Sequence, residues 1–146
     1  VIAVDSVASD GSRLVDAIPG LLHAARRGGA RLGFVGGTGS LFTVSGDSLV
    51  MDEPWFPAAI RPTSVAHLEV LDALRAAEDV DWFQICPSGK FGAQFPGERT
   101  GTFRVGDERI LVPAGGEAAI SGADFAITFA DEFEHPTHHN QRFTVG

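Results

Sequence analysis

Apolar residues in this chain fall into short, β-branched runs separated by longer stretches with a helical period. "VIAV", Val1 to Val4, predicts a short buried strand. "SDGSRLVDAIPGLLHAARRGG" predicts a helix with Leu14, Ile18, Leu21, Leu22 and Ala25 on one face. Pro19 should kink it, and Gly28-Gly29 should end it behind Arg26 and Arg27. "ARLGFVG" reads as a second buried strand, and residues 36 to 54 as a long glycine-bearing loop. "TSVAHLEVLDALRAAE" predicts a helix that turns Val65, Leu68, Leu71 and Leu74 inward. "VDWFQIC" is a third strand ended by Pro87, followed by a loop over 88–101. "TFRVGDERILV" suggests a hairpin around Gly106-Asp107. In "SGADFAITFADEFE" Ser121 and Asp124 suit a capping box, and Phe125, Phe129 and Phe133 form one helical stripe. "RFTV" closes the chain as a strand.

Strands alternating with helices argue for an α/β fold with a parallel sheet covered on both faces. The strands at about 1–5, 31–36 and 81–86 are expected to be neighbours in that order. Ligands in such sheets bind beyond the carboxyl ends of the strands. The loops that start at Gly36 and at Pro87 both leave such ends, so Gly36–Ser40 and Pro87–Gly89 should line one cleft.

Composition narrows the function classes. The chain has 146 residues, enough for one domain with a real core, and its 44% hydrophobic and 21% charged residues are ordinary for a globular domain. No stretch approaches the roughly 20 apolar residues of a membrane span, so no membrane partner is expected. The net charge of −8 argues against a nucleic-acid surface, which needs clustered Lys and Arg. The one cysteine, Cys86, excludes an internal disulfide and suits a reducing cytoplasm. The chain opens inside an apolar strand with neither methionine nor leader pattern. That opening leads us to expect a partial domain over 1–146.

The glycine-rich stretch "GFVGGTGSLF", residues 33 to 42, invites comparison with a dinucleotide-binding turn. Gly37 and Gly39 fit the first two glycines of that fingerprint, but the third position falls on Phe42. No helical period follows, so a different strand-end loop is the better reading. With "PSGKFGAQFPGERTGTFRVG" and "ISGADFAITFADEFEHPTHHNQRFTVG", it resembles the carboxyl-terminal part of the NmrA-like atypical short-chain dehydrogenase/reductases. The NADH-flavin-reductase-like branch carries the likeness, most specifically in Pro96, Gly97, Arg99, Thr100 and Gly101 and in the "QRFTVG" ending.

That resemblance implies a Rossmann-like parallel sheet from its fourth strand onward, with the first βαβ unit and its pyrophosphate turn lying before residue 1. Val1–Val4 would then pair with chain outside this sequence or lie next to removed residues, and residues 1–146 alone would bind no NAD(P) tightly. It also implies NAD(P) as cofactor and a flavin-like or quinone-like small molecule as substrate, with a homodimer as the allowed assembly. The fifth-strand loop would run past the nicotinamide ribose, making Gly36, Gly37 and Thr38 cofactor contacts. Pro87, Ser88 and Gly89 would pack on the nicotinamide.

Typical members use a Tyr-x-x-x-Lys pair for proton transfer. This chain has no tyrosine, and the matching region "AAIRPTSVAHLEV" offers only Arg61 and His67. Thr38, and after it Ser40, are the candidate catalytic hydroxyls; either side chain could instead bond its own loop backbone. Phe91 and Arg99 are candidate substrate contacts, and Arg99 suits either an anionic group or a carboxylate that anchors its loop. "CPSGK" lacks the spacing of a P-loop, and Cys86 at the end of a buried strand reads as a small core residue. "DEFEHPTHHN" has metal-like composition without a ligand geometry, so no metal is expected. A reductase is the leading function, and a non-catalytic NAD(P)-sensing regulator of the NmrA-like type is the alternative.

Overall fold

A computed structural model describes all residues from Val1 to Gly146. Three helices and four strands follow in the order α1 (Leu14–Gly28), β1 (Leu32–Val35), α2 (Arg61–Arg75), β2 (Trp82–Pro87), β3 (Val105–Gly106), α3 (Gly122–Glu134) and β4 (Gln141–Val145). The sheet runs β1-β2-β4-β3, with β1, β2 and β4 parallel and β3 antiparallel at the edge beside β4.

The amino-terminal strand is shorter than its apolar pattern suggests. Only Ile2 pairs, parallel to Phe34: its N–H donates to the Gly33 carbonyl at 2.7 Å, and its own carbonyl accepts from Val35 N at 3.0 Å. The neighbour order is still segment 1, segment 31, segment 81, with both pairings parallel.

Alternation along β2 sorts the core. Trp82 faces α1 and α2 together with Phe34, Leu14, Ile18, Leu22, Val70, Leu71 and Leu74. Phe83 and Ile85 face α3 with Phe125, Phe129, Phe143 and Val145. All six residues of β2 are buried, as expected for a strand covered on both faces. α1 passes through Pro19, which lies on its exposed side, and ends at Gly29 in the left-handed region (φ 59°). There the Ala30 N–H reaches back to the Ala25 carbonyl at 3.0 Å and completes a helix stop.

Two expectations need correction. α2 buries Ser64, His67, Val70, Leu71 and Leu74 and leaves Val65 exposed, because its apolar stripe is rotated toward His67 by the glycine turn lying against it. The hairpin at Gly106-Asp107 does not form. Val105 and Gly106 pair instead with Val145 and Thr144, while the Glu108 carbonyl and Ile110 N–H bracket Phe42. Both arms find longer-range partners that a turn signal cannot report.

Candidate functional site

A cleft of about 1630 Å³ opens at the carboxyl ends of β1 and β2. One side is the turn Gly36–Gly37–Thr38–Gly39, and the other is Pro87, Gly89, Lys90 and Phe91. The α3 stripe Phe125, Phe129 and Phe133 forms an aromatic wall, and Trp55, Phe56 and Ile60 face it from the segment before α2.

The glycines are explained by protein pressed on protein. A Cβ on Gly37 would stand 2.7 Å from His67 Cδ2, so only glycine lets the turn lie against α2. Gly89 takes φ +75°, and its Cβ would meet the Ala118 carbonyl oxygen. The Thr38 hydroxyl donates to the Pro87 carbonyl at 2.7 Å and to the Gly89 carbonyl at 3.0 Å, clasping the two loops together. Its one proton is committed to that clasp, while its lone pairs can still accept from a ligand.

The candidate residues divide. Gly36, Gly37, Thr38, Pro87, Gly89 and Phe91 line the cleft, whereas Ser40, Ser88 and Arg99 do not. Ser40 is fully buried, and its hydroxyl donates to the Gly37 carbonyl at 2.8 Å. Ser88 is equally sealed: its hydroxyl donates to the Leu111 carbonyl and accepts from the Leu111 N–H, both at 2.8 Å. Arg99 is exposed on a loop held from elsewhere. The Asp124 carboxylate accepts from Thr100 N, Thr100 Oγ1 and Gly101 N, and these bonds hold its pKa down at about 2. The loop is therefore anchored by a carboxylate, with Thr100 and Gly101 rather than Arg99 making the contact.

His67 was visible in the sequence only as a substitute in a region lacking tyrosine. Folding brings it to the cleft lining, 9% exposed, with no acceptor or donor for its Nδ1. Burial pushes its pKa down to about 4, against a smaller upward pull from the Asp5 charge, so the ring is neutral at pH 7. Phe125, Phe129 and Phe133 show in the sequence only as one helical stripe, and no signal in such a stripe separates a core face from a cleft wall. Burial pushes the Cys86 thiol up to about 11, which leaves it no thiolate for nucleophilic chemistry.

Lys90 is the single Lys or Arg of the cleft lining, and its ammonium pairs with Glu117 at 2.5 Å. A largely apolar, aromatic lining with one neutral imidazole suits a flat ring. It does not suit a pyrophosphate, which needs converging backbone donors or cations. No group of three or more His, Cys, Asp or Glu side chains converges as a metal site. His138 turns its Nδ1 to Glu132 at 2.7 Å, and His139 pairs with Asp81 at 3.0 Å. No helix is long and apolar enough to cross a membrane.

The sheet, its helices on both faces and the strand-end cleft define a Rossmann-like α/β protein. No protein-family model matches the chain. It belongs to the family of a Burkholderia pseudomallei protein described as a "putative exported protein". The two are 31% identical with a TM-score of 0.82, over 95% of this chain and 68% of that one. A "putative epimerase" from Bacteroides thetaiotaomicron is 33% identical with a TM-score of 0.80, over 94% of this chain and 62% of its own. A "putative NADH-flavin reductase" from Streptococcus pneumoniae is 28% identical with a TM-score of 0.72, over 92% and 67%. Bacillus subtilis YwnB, an uncharacterized protein, is 40% identical over 116 residues, which is 79% of this chain. The chain spans about half (54%) of the length of YwnB.

Proposed function

We propose that this chain forms the nicotinamide-side wall of an NAD(P)-dependent reductase whose acceptor is a flat, uncharged ring of flavin or quinone type. The observation that carries the proposal is the cleft: aromatic on one wall, bounded by two clasped strand-end loops, and with its one Lys or Arg side chain paired to Glu117. Bound there, the cofactor would supply hydride. The chain's own groups bind and orient: Gly36, Gly37 and Thr38 lie where a cofactor ring and ribose would pass, Pro87 and Gly89 beneath it, and Phe91 with Phe125 and Phe129 beside the acceptor. Ser40, Ser88 and Arg99 have no part in this scheme, because none of them lines the cleft.

Hydride passing between stacked rings needs positioning more than an acid or base, which fits a chain without tyrosine. The name of the Streptococcus pneumoniae protein points the same way. The test is oxidation of NADH and NADPH by the intact protein with riboflavin or menadione as acceptor. Turnover supports the reductase. Cofactor binding without turnover supports a sensor, and no binding of either cofactor removes both.

A further inference from the structure

We infer that His67 is a specificity-determining contact of the cleft, donating a hydrogen bond from Nε2 to a carbonyl oxygen of the flat ring that lies against the phenylalanine wall. The inference deepens the reductase reading and rests on it. The ring of His67 is set by two constraints. α2 carries it on the buried face, next to Val70 and Leu71, and Gly37 lets the turn close over it, with Nε2 3.2 Å from where a Cβ would stand. Of its two ring nitrogens, Nδ1 is the one sealed from solvent without a partner. Nε2 is therefore the nitrogen the ring has left to face the cleft it lines.

Placing the proton on Nδ1 would seal an N–H away from any acceptor, at a cost the other tautomer avoids. The contact requires the proton on Nε2, with a bare lone pair on Nδ1. Burial keeps the ring uncharged at pH 7. A neutral N–H donor in an apolar cleft favours a carbonyl acceptor without drawing in a carboxylate, which a charged imidazolium would do. Quinones and the pyrimidine edge of a flavin present such a carbonyl. Phenazine, of similar size and flatness, presents none.

The experiment uses the intact protein without NAD(P)H, so binding is read apart from hydride transfer. Riboflavin and phenazine are titrated against wild type, His67→Gln and His67→Phe, and the imidazole nitrogens of wild-type His67 are followed by ¹⁵N NMR. Expected are an Nε2–H tautomer whose Nε2 signal moves with riboflavin and a riboflavin Kd raised about tenfold in H67F. H67Q, which keeps a donor, should lose less, and phenazine binding should be unchanged in both variants. An Nδ1–H tautomer, an unmoved signal, equal losses for both ligands or no riboflavin binding by wild type overturns the inference. Turnover in the preceding assay with unchanged riboflavin binding in H67F would sink this contact alone. A moving His67 signal without turnover would keep the contact and sink the reductase.

Discussion

At the scale of single residues, side chains that look catalytic turn out to hold the site together. Thr38 shows this most clearly, since its hydroxyl bridges two carbonyls of the opposite loop. Thr38→Val should cost about 1–2 kcal/mol in urea unfolding, because two carbonyls lose a donor. Its turnover should fall as well, and Thr38→Ser should restore both. A valine variant of wild-type stability would show that the clasp contributes nothing. His67 permits a prediction that needs no ligand. Its folded pKa of about 4 lies below its ordinary value of 6.5, so between those values the unfolded chain binds more protons than the native one. Stability therefore falls as pH drops from 6.5 toward 4, and His67→Gln should flatten that part of the profile. Parallel urea midpoints for both proteins from pH 7 to pH 5 would contradict the buried neutral ring.

At the scale of elements, each helix is placed by a local device and then used for something distant. Ser121 caps α3 by accepting the Asp124 N–H at 3.0 Å. The Asp124 carboxylate in turn anchors Thr100 and Gly101. One turn of helix thus fixes both the aromatic wall and the neighbouring loop. Ser121→Ala should lower stability by about 1 kcal/mol, the usual value of such a cap, read as a shifted denaturant midpoint. The midpoint should shift without a change in slope, since no surface is newly exposed.

At the scale of the whole molecule, a buried ionic knot ties the sheet edge to its last strand. Arg31, just before β1, donates to Glu132 of α3 at 2.8 Å and to the His138 carbonyl at 2.7 Å. Glu132 also accepts from Thr137 N, His138 N and His138 Nδ1, and the His138 ring stacks on Phe143 of β4 at 3.7 Å. Burial alone would raise the Glu132 pKa, but the bonds from His138, Arg31 and Thr137 outweigh it and bring it from 4.5 to about 2. Its folded value is depressed, so its contribution is complete above pH 4.5 and disappears as pH falls toward 2. Glu132→Gln should cost about 2 kcal/mol at pH 7, because Arg31 keeps Asp81 at 2.9 Å but loses its charged partner on α3, and Thr137 and His138 lose a charged acceptor. It should also remove part of the acid transition. Equal acid midpoints for the variant and wild type would place that transition in other carboxylates.

Much of this was legible from the chain alone, because periodicity reports which side of an element meets apolar neighbours. The stripe Leu14, Ile18, Leu22 and Ala25, the run of β2 that is apolar but for Gln84, the stop at Gly28-Gly29 and the Ser121 cap are all short-range facts. The tertiary structure alone decided what two segments far apart do to each other. It rotated α2 so that His67 rather than Val65 faces inward, and it drew residues 105–110 away from a local hairpin toward β4 and Phe42. It committed the hydroxyls of Ser40 and Ser88 to backbone partners inside the protein and made Thr38 a clasp. A pattern of types along a chain carries no information about which polar group will find its partner across the fold. That depends on burial, which makes an unpaired polar group costly and so selects partners that only the folded chain brings within reach.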